Sequence, residues 1–147
     1  MTGAPPPDAA VTVAEDERGR IAMVRQRSEV HGELFTLPGG RVEPDESPIA
    51  AARRELAEET GLRAAHWTVL GGGPTALLSH SPARLHLFAA RGLTPGAPAP
   101  EDAARLTLVW LPLAEAVAAV RRGAVSLTGS ALGILLHAAD RQEGPGA

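Results

Sequence analysis

An α/β/α sandwich around a mixed β-sheet is the architecture that the patterning of this chain implies. Three features carry that expectation: short β-prone runs divided by turn residues, one central helix with clear start and stop signals, and two helical patterns near the carboxyl end. At 147 residues, with 44% hydrophobic and 21% charged residues, the chain has ordinary size and usage for a single core. We therefore expect one domain over 11–141, a loose Pro-rich stretch at 1–10 and a short flexible tail at 142–147.

In chain order, VTVAEDERGRIAMVRQR offers two β-prone runs around a polar turn at Gly19, the pattern of a hairpin. Leu34, Phe35 and Leu37 lead into Pro38-Gly39-Gly40, which ends the strand and admits backbone angles closed to other residues. Ser47-Pro48 then starts a helix, since the serine hydroxyl can accept an orphan N–H and proline fits the first helical position. AARRELAEET supplies mostly strong helix formers and Gly61 is a left-handed stop, so the helix covers about 48–60. HWTVLGGG, ARLHLFAARGL and LTLVWLP read as strands, with GGPTALLSHSP between the first two. GLTPGAPAPEDAA, about 92–104, is too rich in Gly, Pro and Ala to be an element. LAEAVAAVRRG, ended by Gly123, and a run from about Thr128 to Arg141 with Leu132, Leu135 and Leu136 on one stripe close the chain as helices.

The chemistry gathers on the central helix. Glu55, Glu58 and Glu59 stand at i, i+3 and i+4, which puts their Cβ atoms roughly 5–6 Å apart on one face. Each like-charged pair costs an isolated helix about a few tenths of a kcal/mol, so the cluster calls for a positive partner. Mg2+, with Mn2+ as a substitute, suits it, because magnesium takes one or two carboxylates and leaves its other positions to water and substrate phosphate. Zinc is poorly supported: the chain has no cysteine, and His31, His66, His80, His86 and His137 are scattered without ligand spacing.

The window GRVEPDESPIAAARRELAEETGL resembles the Nudix box, whose pattern specifies Gly40, Glu46, Arg54, Glu55, Leu56, Glu58, Glu59, Gly61 and Leu62, and every one of these is present. The resemblance implies the Nudix-type sandwich and a pyrophosphohydrolase acting on acid anhydrides. It also implies roles. Glu58 and Glu59 would be metal ligands, Glu55 a ligand or the base that positions water, and the Gly39 carbonyl a further ligand. Glu46 and Arg54 would form the ion pair that orients the loop on the helix. A loop beyond the box often brings another carboxylate to the metals or the attacking water in this family, which makes Glu101 a catalytic candidate. Downstream, Ser81-Pro82, HLFAARGL, an acidic loop and VWLPLAEAVAAVRRG look like the ADP-ribose pyrophosphatase branch. Dimers are frequent in the family, so a homodimer is among the assemblies implied.

Substrate contacts are read from residue type. Arg25, Arg27 and Arg84 are candidates to bind substrate phosphates, and Phe35 or Trp67 to stack a base. A net charge of −3 gives no basic footprint for bulk nucleic acid, whereas a small nucleotide needs none. The apolar stretch ALGILLHAA falls short of the ~20 residues that cross a bilayer. MTGAPPPDAA lacks the basic start and apolar core of a secretory signal, and zero cysteines fit a reducing compartment, so we expect a cytoplasmic protein.

Together these point to metal-dependent hydrolysis of a diphosphate linkage in a nucleoside diphosphate derivative, ADP-ribose or similar, by water attack on phosphorus. Two alternatives stay open: a nucleoside triphosphate pyrophosphohydrolase that cleans the nucleotide pool, and a nucleotide-sensing module that keeps the fold without catalysis.

Overall fold

The computed structural model describes residues 6–97 and 106–143. Its strands form two sheets. In the first, β1 (Ala9–Ala14) lies between β4 (Gly39–Arg41), which it pairs antiparallel, and β7 (Arg84–Thr94), which it pairs parallel. β7 in turn pairs antiparallel with β5 (Arg63–Val69) and with the two-residue β6 (Thr75–Ala76), so this sheet is mixed. The second sheet is antiparallel, with β2 (Arg20–Ser28) between β3 (Gly32–Thr36) and β8 (Leu106–Pro112).

Helices cover both faces. α1 (Pro48–Thr60) packs on one side, and α2 (Leu113–Arg121) and α3 (Thr128–Glu143) pack on the other. The period-2 alternation of strand side chains divides the two cores. Val11, Val13, Ile21, Met23, Leu85 and Leu87 point toward Ala116, Ala119 and Ile134 of α2 and α3. Their neighbours Ala10, Ala14, Ala22 and Ala90 point the opposite way, toward Ala51, Ala52 and Leu56 of α1. Small residues on both sides of that contact bring α1 close to the sheet backbone, and fully buried Leu56 anchors it. Truncating a side chain so placed costs about 2–5 kcal/mol.

α1 begins and ends where its sequence signals stand. The Ser47 hydroxyl accepts the Ala50 N–H at 3.2 Å, Pro48 occupies the first turn, and Gly61 adopts φ 78° with its N–H on the Ala57 carbonyl. A side chain at Gly61 would also run into the Gly96 carbonyl, so the position needs glycine twice over.

Several expectations require correction. The stretch 1–10 is not loose throughout: β1 starts at Ala9, and Ala10 is fully buried. Asp8 secures that start, its carbonyl accepting the Val42 N–H and its carboxylate accepting the Arg84 N–H and meeting His86 Nε2 at 2.9 Å. At the other end α3 runs two residues beyond Arg141. The Gly19 turn does form, with φ 76°, but β1 and β2 enter different sheets and share only the isolated bridge Glu15–Ile21, so they make no hairpin. Pro38-Gly39-Gly40 does more than end a strand, because Gly39–Arg41 is itself β4, and neither glycine takes a positive φ. Gly92–Thr94, placed with the loop, extends β7. Among the described residues no helix is long and apolar enough to cross a membrane.

One buried polar tie joins α3 to Glu15, the residue that follows β1. His137 Nε2 lies 3.1 Å from Glu15 Oε1, and both side chains are almost fully enclosed. Arg141 donates to the same carboxylate at 2.9 Å and Arg91 stands 3.6 Å from it. Burial pushes the His137 imidazole below its ordinary value against the opposing pull of Glu15. The unfolded chain therefore binds this proton at higher pH than the folded one. Stability that is fully present above the unfolded value of about 6.5 declines as pH falls below it toward the lowered folded value. Thermal melts are expected to drop in midpoint between pH 7.5 and 5.5, and His137→Gln should flatten that decline. A variant that loses midpoint as steeply as the wild type would contradict the assignment.

Candidate active site

The face of α1 that carries the acids lies against the β4 backbone and the loop that follows it. Arg54 is the hub. Its Nε donates to Glu46 Oε2 at 2.8 Å and its Nη2 to Glu46 Oε1 at 3.0 Å, a two-pronged grip on one carboxylate. Nη2 also donates to the Arg41 carbonyl at 3.0 Å, which ties β4 to the helix. Nη1 reaches Glu55 Oε1 at 2.8 Å and Glu58 Oε2 at 3.3 Å. The Glu43 N–H completes the loop by donating to Glu46 Oε1 at 3.0 Å. Arg54, followed by that N–H, holds the Glu46 carboxyl well below the carboxylate range, at about 2. Arg54 is raised in turn, chiefly by its bonds to Glu46.

Glu59 takes a different partner: its Oε1 accepts the Gly39 N–H at 2.9 Å, joining the last acid of the helix to the first residue of β4. The two glycines of β4 are there for room. A Cβ on Gly40 would lie 2.6 Å from Glu55 Oε1, and one on Gly39 would lie 2.6 Å from the Ala10 carbonyl oxygen. Any larger residue at 40 would therefore push the Glu55 carboxylate off the strand.

The donors fit a hard divalent ion in kind, since all of them are oxygens on one helix face beside a glycine-opened backbone. Among the described residues no three acidic or histidine side chains already converge on one point. The acids are instead drawn to Arg54 and to the Gly39 amide, so holding an ion requires Glu55, Glu58 and Glu59 to turn toward one another from those partners.

The other candidate residues are dispersed. Ile21 and Met23 pack toward α2 and α3, so by strand alternation Arg25 and Arg27 stand on that face, away from α1. Phe35, opposite Arg25 in the register, packs against the same core, and the Arg25 guanidinium lies over its ring at 5.4 Å. These three line a hollow of about 530 Å³ on the hairpin of β2 and β3, so the structure does not gather them with the carboxylates. Arg84 opens β7 in the other sheet, its N–H on Asp8. Trp67 packs edge-on against Phe88 and under the Arg53 guanidinium, as a core aromatic. Glu101 lies outside the described residues. Gln26, which no sequence motif marks, shares the α1 side with Ala22 by strand alternation and donates to Thr36 Oγ1 at 3.0 Å.

The NUDIX domain model matches residues 5–127. The chain belongs to the Nudix family. It is 38% identical over 133 residues to a CMP-5'-(N-acetyl-N-hydroxy-3-aminopropyl)phosphonate hydrolase of Streptomyces rubellomurinus, covering 88% of this chain and 63% of that protein. It is likewise 38% identical over 135 residues to an ADP-ribose pyrophosphatase of Mycobacterium tuberculosis, covering 88% of this chain and 65% of that one. The chain thus spans just under two thirds of the length of these two relatives. A crystal structure of an ADP compounds hydrolase superposes with a TM-score of 0.78 at 22% identity, over 95% of this chain and 76% of that one, which is a likeness of fold.

As a Nudix chain it can be tested at the glycine gap. Gly40→Ala is expected to displace the Glu55 carboxylate while far-UV circular dichroism stays unchanged. Mn2+ affinity, followed by electron paramagnetic resonance, should fall about 10- to 100-fold. Wild-type affinity in the variant would show that Glu55 does not depend on that gap for its place in the site.

Proposed function

We propose that this Nudix chain is an enzyme that hydrolyses a diphosphate linkage in a nucleoside diphosphate derivative, ADP-ribose or a close analogue, by attack of water on phosphorus. Glu55, Glu58, Glu59 and the Gly39 carbonyl would hold the divalent ion, Mg2+ with Mn2+ as a substitute. The observation that carries the reading is the acidic face of α1, three glutamates placed at one glycine-lined strand, two of them tied to a single guanidinium and the third to the Gly39 amide. The names of the two relatives, hydrolases of nucleotide derivatives, support the substrate class.

A bound divalent ion supplies neutralisation of pyrophosphate charge and a water of lowered pKa. The chain supplies position. In this reading Glu55, beside Gly40 and Arg54, would accept the proton of the attacking water, and Glu59, bonded to the Gly39 amide, would stand beside it as a metal ligand. Arg54 and Glu46 keep the loop and the helix in one register while charge builds up on the phosphoryl oxygens. Phosphoryl chemistry depends on positioning and charge stabilisation, so it needs no covalent nucleophile. A homodimer belongs to this reading by family resemblance, and a cytoplasmic location by the absence of cysteine and of a signal pattern in the sequence.

A substrate panel with magnesium or manganese tests it. ADP-ribose should yield AMP and ribose 5-phosphate, and Glu59→Gln should lower turnover about 10²- to 10³-fold with an unchanged melting midpoint. Pyrophosphate released from nucleoside triphosphates, with ADP-ribose left intact, would move the chain to the nucleotide-pool reading. Tight nucleotide binding with no turnover in either metal would make it a sensor, and wild-type rates in Glu59→Gln would remove the site assignment.

A further inference from the structure

A polar cluster that the proposed chemistry does not use lies on the opposite face of the mixed sheet. Phe88 and Ala90 of β7 pack toward α1, whereas Leu85, Leu87 and Ala89 pack toward α3, and Arg91 follows them onto the α3 side. His66 and Thr68 of β5 stand opposite Arg91 and Ala89 in the register and share that face. At the centre is Glu15, only 4% exposed, which accepts from His137 and Arg141.

The two arginines are not used up by that carboxylate. Arg141 spends one Nη2 donor on Glu15 and its side chain remains 46% exposed. Arg91 stands 3.6 Å from Glu15, beyond hydrogen-bonding distance, and is 52% exposed; among the described residues its guanidinium makes no hydrogen bond. Both border a cavity of about 360 Å³ whose wall includes Thr68, His137 and Asp140. Past Arg91 it adjoins a second hollow of about 430 Å³ lined by His66 and Thr68. Volumes of this order suit a small molecule.

We infer that this cavity is a second binding site, for the phosphate group of a small phosphomonoester, with Arg91 and Arg141 as donors and buried Glu15 as the group that aims Arg141. Glu15, buried behind His137 and Arg141, and Asp140 at the wall offset the arginine charge, so bulk attraction of a large polyanion is not what the site offers. It offers directed donors. Two guanidinium forks from different elements, β7 and α3, reach different oxygens of a tetrahedral phosphate, which presents three terminal acceptors where a planar carboxylate presents two. The adjoining hollow gives the esterified body somewhere to lie. The sheet separates this site from the acids of α1, so it can fill whether or not the catalytic reading holds.

Calorimetric titration in the presence of a metal chelator tests it, because the metal-free acids of α1 repel phosphate and leave the heat to the second site. Inorganic phosphate and ribose 5-phosphate are the probes. Saturable binding of one equivalent is expected for both, tighter for the monoester. Arg91→Gln should weaken both about tenfold or more, with its melting midpoint retained, while Arg121→Gln, at an exposed position of α2, leaves them unchanged. Failure of both probes to saturate, or binding by Arg91→Gln as tight as by the wild type, would overturn the site. Free phosphate binding more tightly than the monoester would overturn the assignment of its ligand.

Discussion

One guanidinium holds the acidic face of this protein together. Arg54 grips Glu46 with two donors, reaches Glu55 and Glu58 with a third, and takes the Arg41 carbonyl as well, so helix, loop and strand are fixed relative to one another through a single side chain. Without it three glutamates within little more than one turn would repel across a few ångströms, and the loop between β4 and α1 would lose its charge-assisted bonds. Lysine could not replace it, because an ammonium lacks the planar fork that meets Glu46 on two oxygens.

The rest of the fold makes that arrangement reachable. Alanines at 10, 14, 22 and 90 on the strands and at 51 and 52 on α1 keep helix and sheet close, and Gly39 and Gly40 remove the last side chains between them. The bulk is carried on the reverse side, where Ile21, Met23, Leu85, Leu87 and Ile134 form the larger core under α2 and α3. A sheet with small residues on one face and large ones on the other can thus present backbone to chemistry without giving up stability. The same sheet isolates the Glu15 cluster from the acids of α1.

The candidate site was legible in the sequence wherever local chemistry decides the outcome. Ser47, Pro48 and Gly61 mark α1 to the residue, and helical spacing alone places Glu55, Glu58 and Glu59 together. Partnerships between distant segments were not legible. The runs on either side of Gly19 look like a hairpin in any local reading, yet β1 pairs with β4 and β7 because those strands supply its buried neighbours. Glycines at 39 and 40 suggest unusual backbone angles, whereas their reason is the approach of the Ala10 carbonyl and the Glu55 carboxylate from elsewhere in the chain. Arg25, Arg27 and Phe35 have the right chemistry for a nucleotide, but strand parity turns them to the other face, and parity becomes decisive only once the helix has a side. Buried Glu15 and His137, with half-exposed Arg141 beside them, join residues more than a hundred positions apart, and no local pattern announces them.

In the proposed reaction the acids of α1 would exchange their contacts with Arg54 and the Gly39 amide for a shared divalent ion. Anomalous diffraction from crystals grown with Mn2+ measures this directly. A peak within bonding distance of Glu55, Glu58 and Glu59 is expected, with Arg54 still gripping Glu46. Manganese at saturating concentration with no peak there, and the three carboxylates left on their present partners, would contradict it.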